Sequence, residues 1–317
     1  MGEFELIRRY FLSMAPADGG DELVLGPGDD CAIQRVPAGR DLVFSVDTLV
    51  EGCHFPPGYS PESVAWRALG SAASDLAAMG ARPVCFTLAL TLPDASDRWL
   101  APFARGLAEA GGAFGLALAG GDTTRGPLTV TVQVHGTVPQ GQALRRRGAV
   151  AGDVIAVSGT LGDAAAALDY LTEPAPSVEA ARLLARYHRP EPRFELGEAL
   201  IGVATAAIDI SDGLCADLGH ILDASGVGAT VDARRVPLSP ALRRCCGASA
   251  LVKALYGGDD YELCVTIPAG RWRTLPESVK GGLTAIGEVD ASPGLRLLHA
   301  PGEAAGAGYD HFRSADD

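Results

Sequence analysis

Apolar and polar positions change their period several times along the chain, and each change predicts an element. Leu42 to Thr48 alternates between Gly39 and Gly52 and predicts a strand. Ser60, Pro61 and Glu62 then supply a capping hydroxyl, a proline at the first helical position and an acid in the first turn. The stripe that follows, Ala65, Leu69, Ala72 and Leu76, has helical spacing and stops at Gly80. Strands are expected at Val84–Leu92 and Leu128–Val138, with a helix around Arg98–Ala110 between them. The stretch Gly136–Asp153, with Pro139, several glycines and Arg145–Arg147, reads as a boundary, giving domains 1–148 and 149–317. The second half restarts with a strand at Val154–Val157, the turn Gly159–Gly162 and an alanine-rich helix. Helices near 178–188 and 194–202, a short strand at Ala206–Ile210 and a helix from Leu214 to Ala224 follow. Strands at Tyr261–Ile267 and Thr284–Val289 come last, before about a dozen residues of coil. The pattern is that of a mixed α/β (α+β) fold in two domains.

Composition narrows the function. Of 317 residues, 47% are hydrophobic and 21% charged, so the chain can bury sizeable cores and is not a disordered one. Its formal net charge of -13 repels polyanions, so neither nucleic acid nor an anionic membrane is expected as a partner. Only Lys253 and Lys280 among the 26 basic residues are lysines, and neither follows a glycine-rich loop. A Walker A loop and a protein-kinase lysine are both missing, as are G-x-S-x-G and H-E-x-x-H. Seven cysteines without a C-x-x-C pair suggest a reducing cytoplasm and no structural zinc. The N-terminus lacks a signal-peptide pattern, and no apolar run approaches the roughly 18 residues of a membrane span.

The chemistry concentrates in aspartates that adjoin glycines or end strands: Asp29 and Asp30, Asp47, Asp122 in Gly120–Gly126, Asp209 and Asp212, and Asp259 with Asp260. Each Gly-Asp pair alone is most simply a turn. Asp75 fits that explanation least, because it interrupts a helix that is otherwise almost free of charge. Burial there needs a cationic partner such as a metal ion; the alternatives are a partly exposed helix end or an arginine partner. Many carboxylates with little histidine or cysteine select a hard cation, Mg2+ or Mn2+, which binds a few carboxylates together with phosphate oxygens. Glycine-rich turns let backbone N–H groups approach the same oxygens. His54, after the strand that carries Asp47, is a further candidate beside its ordinary structural reading.

These motifs resemble those of the bacterial thiamine-monophosphate kinase family. The matching segments are Gly2–Phe4, Gly28–Ala32, Asp47–Val50, Ser74–Gly80, Gly120–Pro127, Asp209–Leu214 and Tyr309–Phe312, in order over nearly the whole chain. The resemblance implies the two-domain ATP-binding fold of aminoimidazole ribonucleotide synthetase. It implies an N-terminal domain that pairs in a homodimer and a C-terminal domain that completes the active site. The implied reaction moves the γ-phosphoryl group of ATP to thiamine monophosphate with the help of several Mg2+ ions. Carried over by position, Asp30, Ser45, Val46, Asp47, Asp75, Asp122, Asp209 and Asp212 resemble the metal ligands. Val46, where relatives can carry threonine, has only its carbonyl to offer. Asp75, Asp122 and Asp212 are the catalytic candidates, Gly121, Asp122, Arg146 and Ser211 resemble nucleotide contacts, and His54, Asp259 and Tyr309 resemble substrate contacts. Asp259 stands where the family pattern has glutamate. Two alternatives remain at this point: another ATP-dependent enzyme of the superfamily, or a non-catalytic Mg2+–nucleotide regulator. The first is disfavoured: selenophosphate synthetases carry a reactive cysteine or selenocysteine and a lysine near the N-terminus, whereas the first lysine here is Lys253, and hydrogenase-maturation relatives end in a reactive cysteine, whereas this sequence ends Phe312-Arg-Ser-Ala-Asp-Asp317.

Overall fold

A computed structural model describes residues 2–14 and 21–301 of the chain, which divides into two units, Met1–Ala143 and Leu144–Asp317. The first contains helix α1 (Glu3–Tyr10), a small antiparallel pair β1 (Leu23–Leu25) and β2 (Ile33–Gln34), and then β3 (Arg40–Val50), α2 (Pro61–Ala78), β4 (Arg82–Leu92), α3 (Asp97–Phe114), β5 (Ala117–Arg125) and β6 (Thr129–Pro139). The capping signals at Ser60 work as the sequence predicts: its side chain accepts the Ser63 N–H, and Pro61 opens α2. Four strands form one sheet in the order β3-β6-β4-β5, in which β4 and β5 are parallel and the other pairs antiparallel.

Alternation decides what each face carries. On β6, Val130, Val132 and Val134 are buried, while Thr129, Thr131 and Gln133 on the other face are not. On β3, Leu42, Phe44, Val46 and Thr48 share the open face and are exposed, whereas Ser45 and Asp47 share the face that meets α2. Helix α2 is buried almost around its circumference, with Leu69 and Leu76 fully so.

The second unit is built on a six-stranded sheet, with β7 (Asp153–Ser158), β8 (Ala206–Asp209), β9 (Gly228–Asp232), β10 (Leu263–Pro268), β11 (Leu283–Asp290) and β12 (Gly294–Leu298) in the order β12-β9-β11-β7-β10-β8. Helices α4 (Asp163–Ala167), α5 (Val178–His188), α6 (Phe194–Ala199), α7 (Leu214–Ser225), α8 (Pro240–Cys246) and α9 (Ala250–Tyr256) accompany it. Its core joins Ile155, Val157, Ile208, Leu218, Ile221 and Val231.

Five strands, β1, β2, β5, β9 and β12, lie where the sequence pattern predicts none, and β1 and β2 are only three and two residues long. Asp122, expected in a turn, lies within β5, because the glycines there serve close strand packing. Strands β9 and β12 are short, and each begins at a glycine, which weakens their pattern. The strand expected from Tyr261 begins only at Leu263, since Tyr261 has φ +52°, and the helix expected to run to residue 202 ends at Ala199. The expected coil of the last dozen residues lies outside the described residues.

Glu262, fully buried just before β10, anchors the second unit. Arg193 grips it with two nitrogens at 2.7 and 2.5 Å, Arg186 adds a contact at 2.6 Å, and the Ser158 hydroxyl donates to it. Both guanidinium groups reach solvent, at 25% and 29% exposure, so the cost of losing the carboxylate falls at the low end for a buried pair. Glu262→Ala is expected to lower unfolding free energy by about 3 kcal/mol in a urea titration. A loss below about 1 kcal/mol would show that the arginines find other partners.

Candidate active site

In the first unit β3 and α2 bring two candidate carboxylates together. Ser45 donates its hydroxyl hydrogen bond to Oδ2 of Asp75, and Asp47 lies on the same face of β3 as Ser45. Burial first, and the charge of Asp75 second, push the Asp47 carboxyl up to about 6, against a smaller lowering by a hydrogen bond from Ser71. Val46 sends its side chain to the opposite face, where it is 57% exposed, so any role toward a cation belongs to its main chain. Beyond the strand, His54 accepts the Val50 N–H on Nδ1 at 3.0 Å, and its own N–H donates to the Val50 carbonyl at 2.9 Å. The ring therefore braces the turn that follows β3.

A cavity of about 810 Å³ gathers the other first-unit candidates. Ile7 of α1 and Phe11 just after it, with Leu88 and Leu118, supply apolar wall, while Asp29, Asp30 and Asp122 line the same space. Gly121 is required here for a spatial reason. β5 runs so close to β4 that a Cβ at Gly121 would stand 1.9 Å from the Leu88 carbonyl oxygen.

The second unit presents its candidates on two adjoining loops. Asp209 ends the edge strand β8 and is 5% exposed; Ser211 and Asp212 follow and are half-buried. Asp217, in the first turns of α7, accepts the N–H groups of Ser211, Asp212 and Gly213 on a single oxygen at 3.1, 3.0 and 3.1 Å. Burial pushes its carboxyl up to about 6, and the three amides oppose that rise. In this loop the chain's own carboxylate takes the amides that a glycine-bearing turn can otherwise offer to phosphate oxygens. Asp217 was missed in the sequence, although an acid four residues into a helix that follows a glycine-bearing loop is a readable capping signal.

The second loop packs on the first. Asp259 N–H donates to the Ser211 carbonyl and Tyr261 N–H to the Ile210 carbonyl, each at 2.8 Å. Gly258 permits the contact, for a Cβ there would lie 2.1 Å from the Ser211 oxygen. Asp259 has φ +67°, a left-handed backbone that a short polar side chain tolerates better than a longer one, and its Oδ1 accepts the Tyr261 hydroxyl at 2.9 Å. Asp260 is turned inward, where both of its oxygens accept the Gly162 N–H at 2.9 Å and burial raises its carboxyl well above the usual range. Arg146 stands on an exposed segment whose carbonyl accepts the Ser225 hydroxyl at 3.4 Å. Tyr309 lies outside the described residues.

Comparison with known proteins decides the family. Residues 28–138 match the AIR synthase related protein N-terminal domain, and residues 150–300 its C-terminal domain. The thiamine-monophosphate kinase of Escherichia coli K12 is 46% identical over 98% of both chains, and that of Haemophilus influenzae 41% identical over 99% of both. The solved thiamine-monophosphate kinase of Stenotrophomonas maltophilia superimposes with a TM-score of 0.83 at 43% identity, covering 92% of this chain and 94% of that one.

The chain belongs to the thiamine-monophosphate kinase family.

A further solved family member, AaThiL complexed with AMPPCP and TMP, has a TM-score of 0.80 at 30% identity and covers 98% of this chain and 97% of its own. Escherichia coli HypE, at 22% identity and a TM-score of 0.71, shares the fold alone. This family member offers hard oxygen donors throughout, and the Asp47–Asp75 pair carries the like-charge crowding that a divalent cation relieves, so the donor set fits Mg2+. Among the described residues no three His, Cys, Asp or Glu side chains are gathered as a metal cluster.

A raised Asp47 also sets a pH dependence. With its carboxyl pushed up to about 6, Asp47 takes up a proton as pH falls through that value, and a cation that used it as a ligand would have to displace that proton. Mn2+ binding to the nucleotide-free protein, followed by electron paramagnetic resonance, is expected to be about tenfold weaker at pH 5 than at pH 7. Affinity independent of pH over that range would contradict the assignment.

Proposed function

We propose that the protein transfers the γ-phosphoryl group of ATP to thiamine monophosphate, forming thiamine diphosphate and ADP, the last step of thiamine diphosphate synthesis. The reading is carried by full-length similarity to thiamine-monophosphate kinases, with one of them solved with AMPPCP and TMP. A phosphate monoester has a second pKa of about 6 and is largely dianionic at neutral pH, so the acceptor needs no strong base. One of its oxygens attacks the γ-phosphorus in line while the bond to the β-bridging oxygen breaks, and no covalent phosphoenzyme is formed. Such a transfer demands positioning and charge neutralisation above all.

Bound Mg2+ would neutralise the phosphates and draw them toward the carboxylates. Asp30, Ser45, the Val46 main chain, Asp47, Asp75 and Asp122 in the first unit, and Asp209 and Asp212 in the second, are the residues proposed to hold it. Asp75, Asp122 and Asp212 serve the reacting phosphates. Gly121, Asp122, Arg146 and Ser211 serve the nucleotide, where the apolar wall of the cavity suits a base. His54, Asp259 and Tyr309 serve thiamine monophosphate. The reaction belongs in the cytoplasm, where ATP and Mg2+ are supplied and seven free cysteines stay reduced. No helix among the described residues is long and apolar enough to cross a membrane.

The homodimer is part of the same proposal. Phe44 at 63% exposure and Val46 at 57%, with Leu42 beside them, form an apolar row on the open face of the first sheet. Pairing of two such faces would cover it. Phe44→Glu is expected to shift the protein from dimer to monomer in sedimentation; an unchanged mass would place the contact elsewhere.

The activity is tested by incubating the protein with ATP, Mg2+ and thiamine monophosphate and separating the thiamine phosphates. Thiamine diphosphate and ADP in equal amounts are expected. Nucleotide binding without turnover would favour the regulator, and ATP consumption without thiamine diphosphate another enzyme of the superfamily. Within that assay, Asp259→Ala should raise the KM for thiamine monophosphate about tenfold, with a smaller change for ATP, for loss of a charged contact. Asp259→Gly, which frees the left-handed backbone and also lacks the carboxylate, should show the same rise. A wild-type KM in the glycine variant would reduce Asp259 to a turn residue.

A further inference from the structure

Asp217 has none of the roles assigned above, yet it is 2% exposed and binds three consecutive amides with one oxygen. Amides leading into a helix ordinarily attract an external anion such as phosphate. Here the place of that anion is taken by the helix's own carboxylate. The 209–213 loop can therefore serve ligands through its aspartate and serine side chains but not through these amides.

The other side of the loop is tied as well. Its Ser211 and Ile210 carbonyls accept the N–H groups of Asp259 and Tyr261, each at 2.8 Å, and Gly258 allows no gap between the segments. A shift of residues 211–213 must then move residues 259–261, whose left-handed conformations at Asp259 and Tyr261 leave little freedom to absorb it. From Asp217 to Asp259 the path consists of hydrogen bonds within one unit.

We propose that Asp217 is a positioning residue: it fixes the 211–213 backbone and, through that backbone, residues 259–261, so that the cation requirement and the affinity for the phosphorylated acceptor change together. This inference rests on the kinase reading for its ligands, but the backbone coupling stands apart from it. Glu262 and Asp260 secure the second loop from behind, and Asp217 supplies the side shared with the proposed metal-binding residues.

Three variants separate the possibilities. Asp217→Asn keeps an acceptor of the same reach, Asp217→Glu displaces it by one methylene, and Asp217→Leu removes it at similar volume. In the ligand-free protein, amide hydrogen exchange at 211–213 and 259–261 should accelerate in the Glu and Leu variants, while β7 and β10 stay protected. In turnover, the Mg2+ concentration for half-maximal rate and the KM for thiamine monophosphate should both rise about tenfold in the Leu variant, in keeping with unsatisfied amides. The Glu variant should show a smaller joint rise, and the Asn variant should stay within about threefold of wild type. General destabilisation lowers the active fraction, hence kcat, without moving either constant. If the Leu variant does not fold, the Glu variant carries the test. Wild-type constants in the Glu variant, a change in one constant alone, or unaltered exchange at 259–261 would overturn the proposal. Absence of thiamine diphosphate with the wild-type protein would defeat the kinase reading instead, and the exchange measurement would still decide the role of Asp217.

Discussion

Like charges held close in a partly desolvated place are costly, and this protein accepts that cost at its candidate site. Asp47 sits where burial and the neighbouring Asp75 raise its carboxyl to about 6, with Ser45 already committed to Asp75. A chain with a net charge of -13 and only two lysines has little means of receiving a polyphosphate by direct attraction. The carboxylates make sense as one half of a neutral assembly, whose other half is cationic. That single constraint accounts for hard oxygen donors, for their dispersal over several loops and for the lack of a Walker-type loop.

The second unit solves a related problem with backbone groups. Amides at the start of α7 could attract an anion, and Asp217 occupies them before any ligand does. Nearby buried carboxylates are treated in the same way: Asp260 is spent on Gly162, and Glu262 on Arg186, Arg193 and Ser158. Acids of similar sequence context therefore differ in burial. Asp217, Asp260 and Glu262 are buried and shape the loops from within, while Asp212 and Asp259 are half-buried on them, Asp259 accepting the Tyr261 hydroxyl.

Much of this was legible in the sequence where the information is local. Ser60, Pro61 and Glu62 announce α2 because capping involves adjacent residues, and the ordered aspartate motifs pointed to the family that the comparisons confirm. What was hidden depends on partners distant along the chain. Strand β5 looked like a turn because its glycines answer to β4, not to their own segment. The pairing of Ser45 with Asp75 joins a strand to a helix 30 residues on. Asp259 was read as a shortened glutamate; its positive φ supplies a backbone reason for a short side chain at that point.

The most direct test of the electrostatic account is calorimetric titration of the protein with a non-hydrolysable ATP analogue, with Mg2+ present and after complete chelation. The account predicts binding that requires the cation, with affinity lost by at least about a hundredfold on chelation. Equal affinity in the two conditions would contradict it, because the carboxylates would then face the phosphates without any bridging charge.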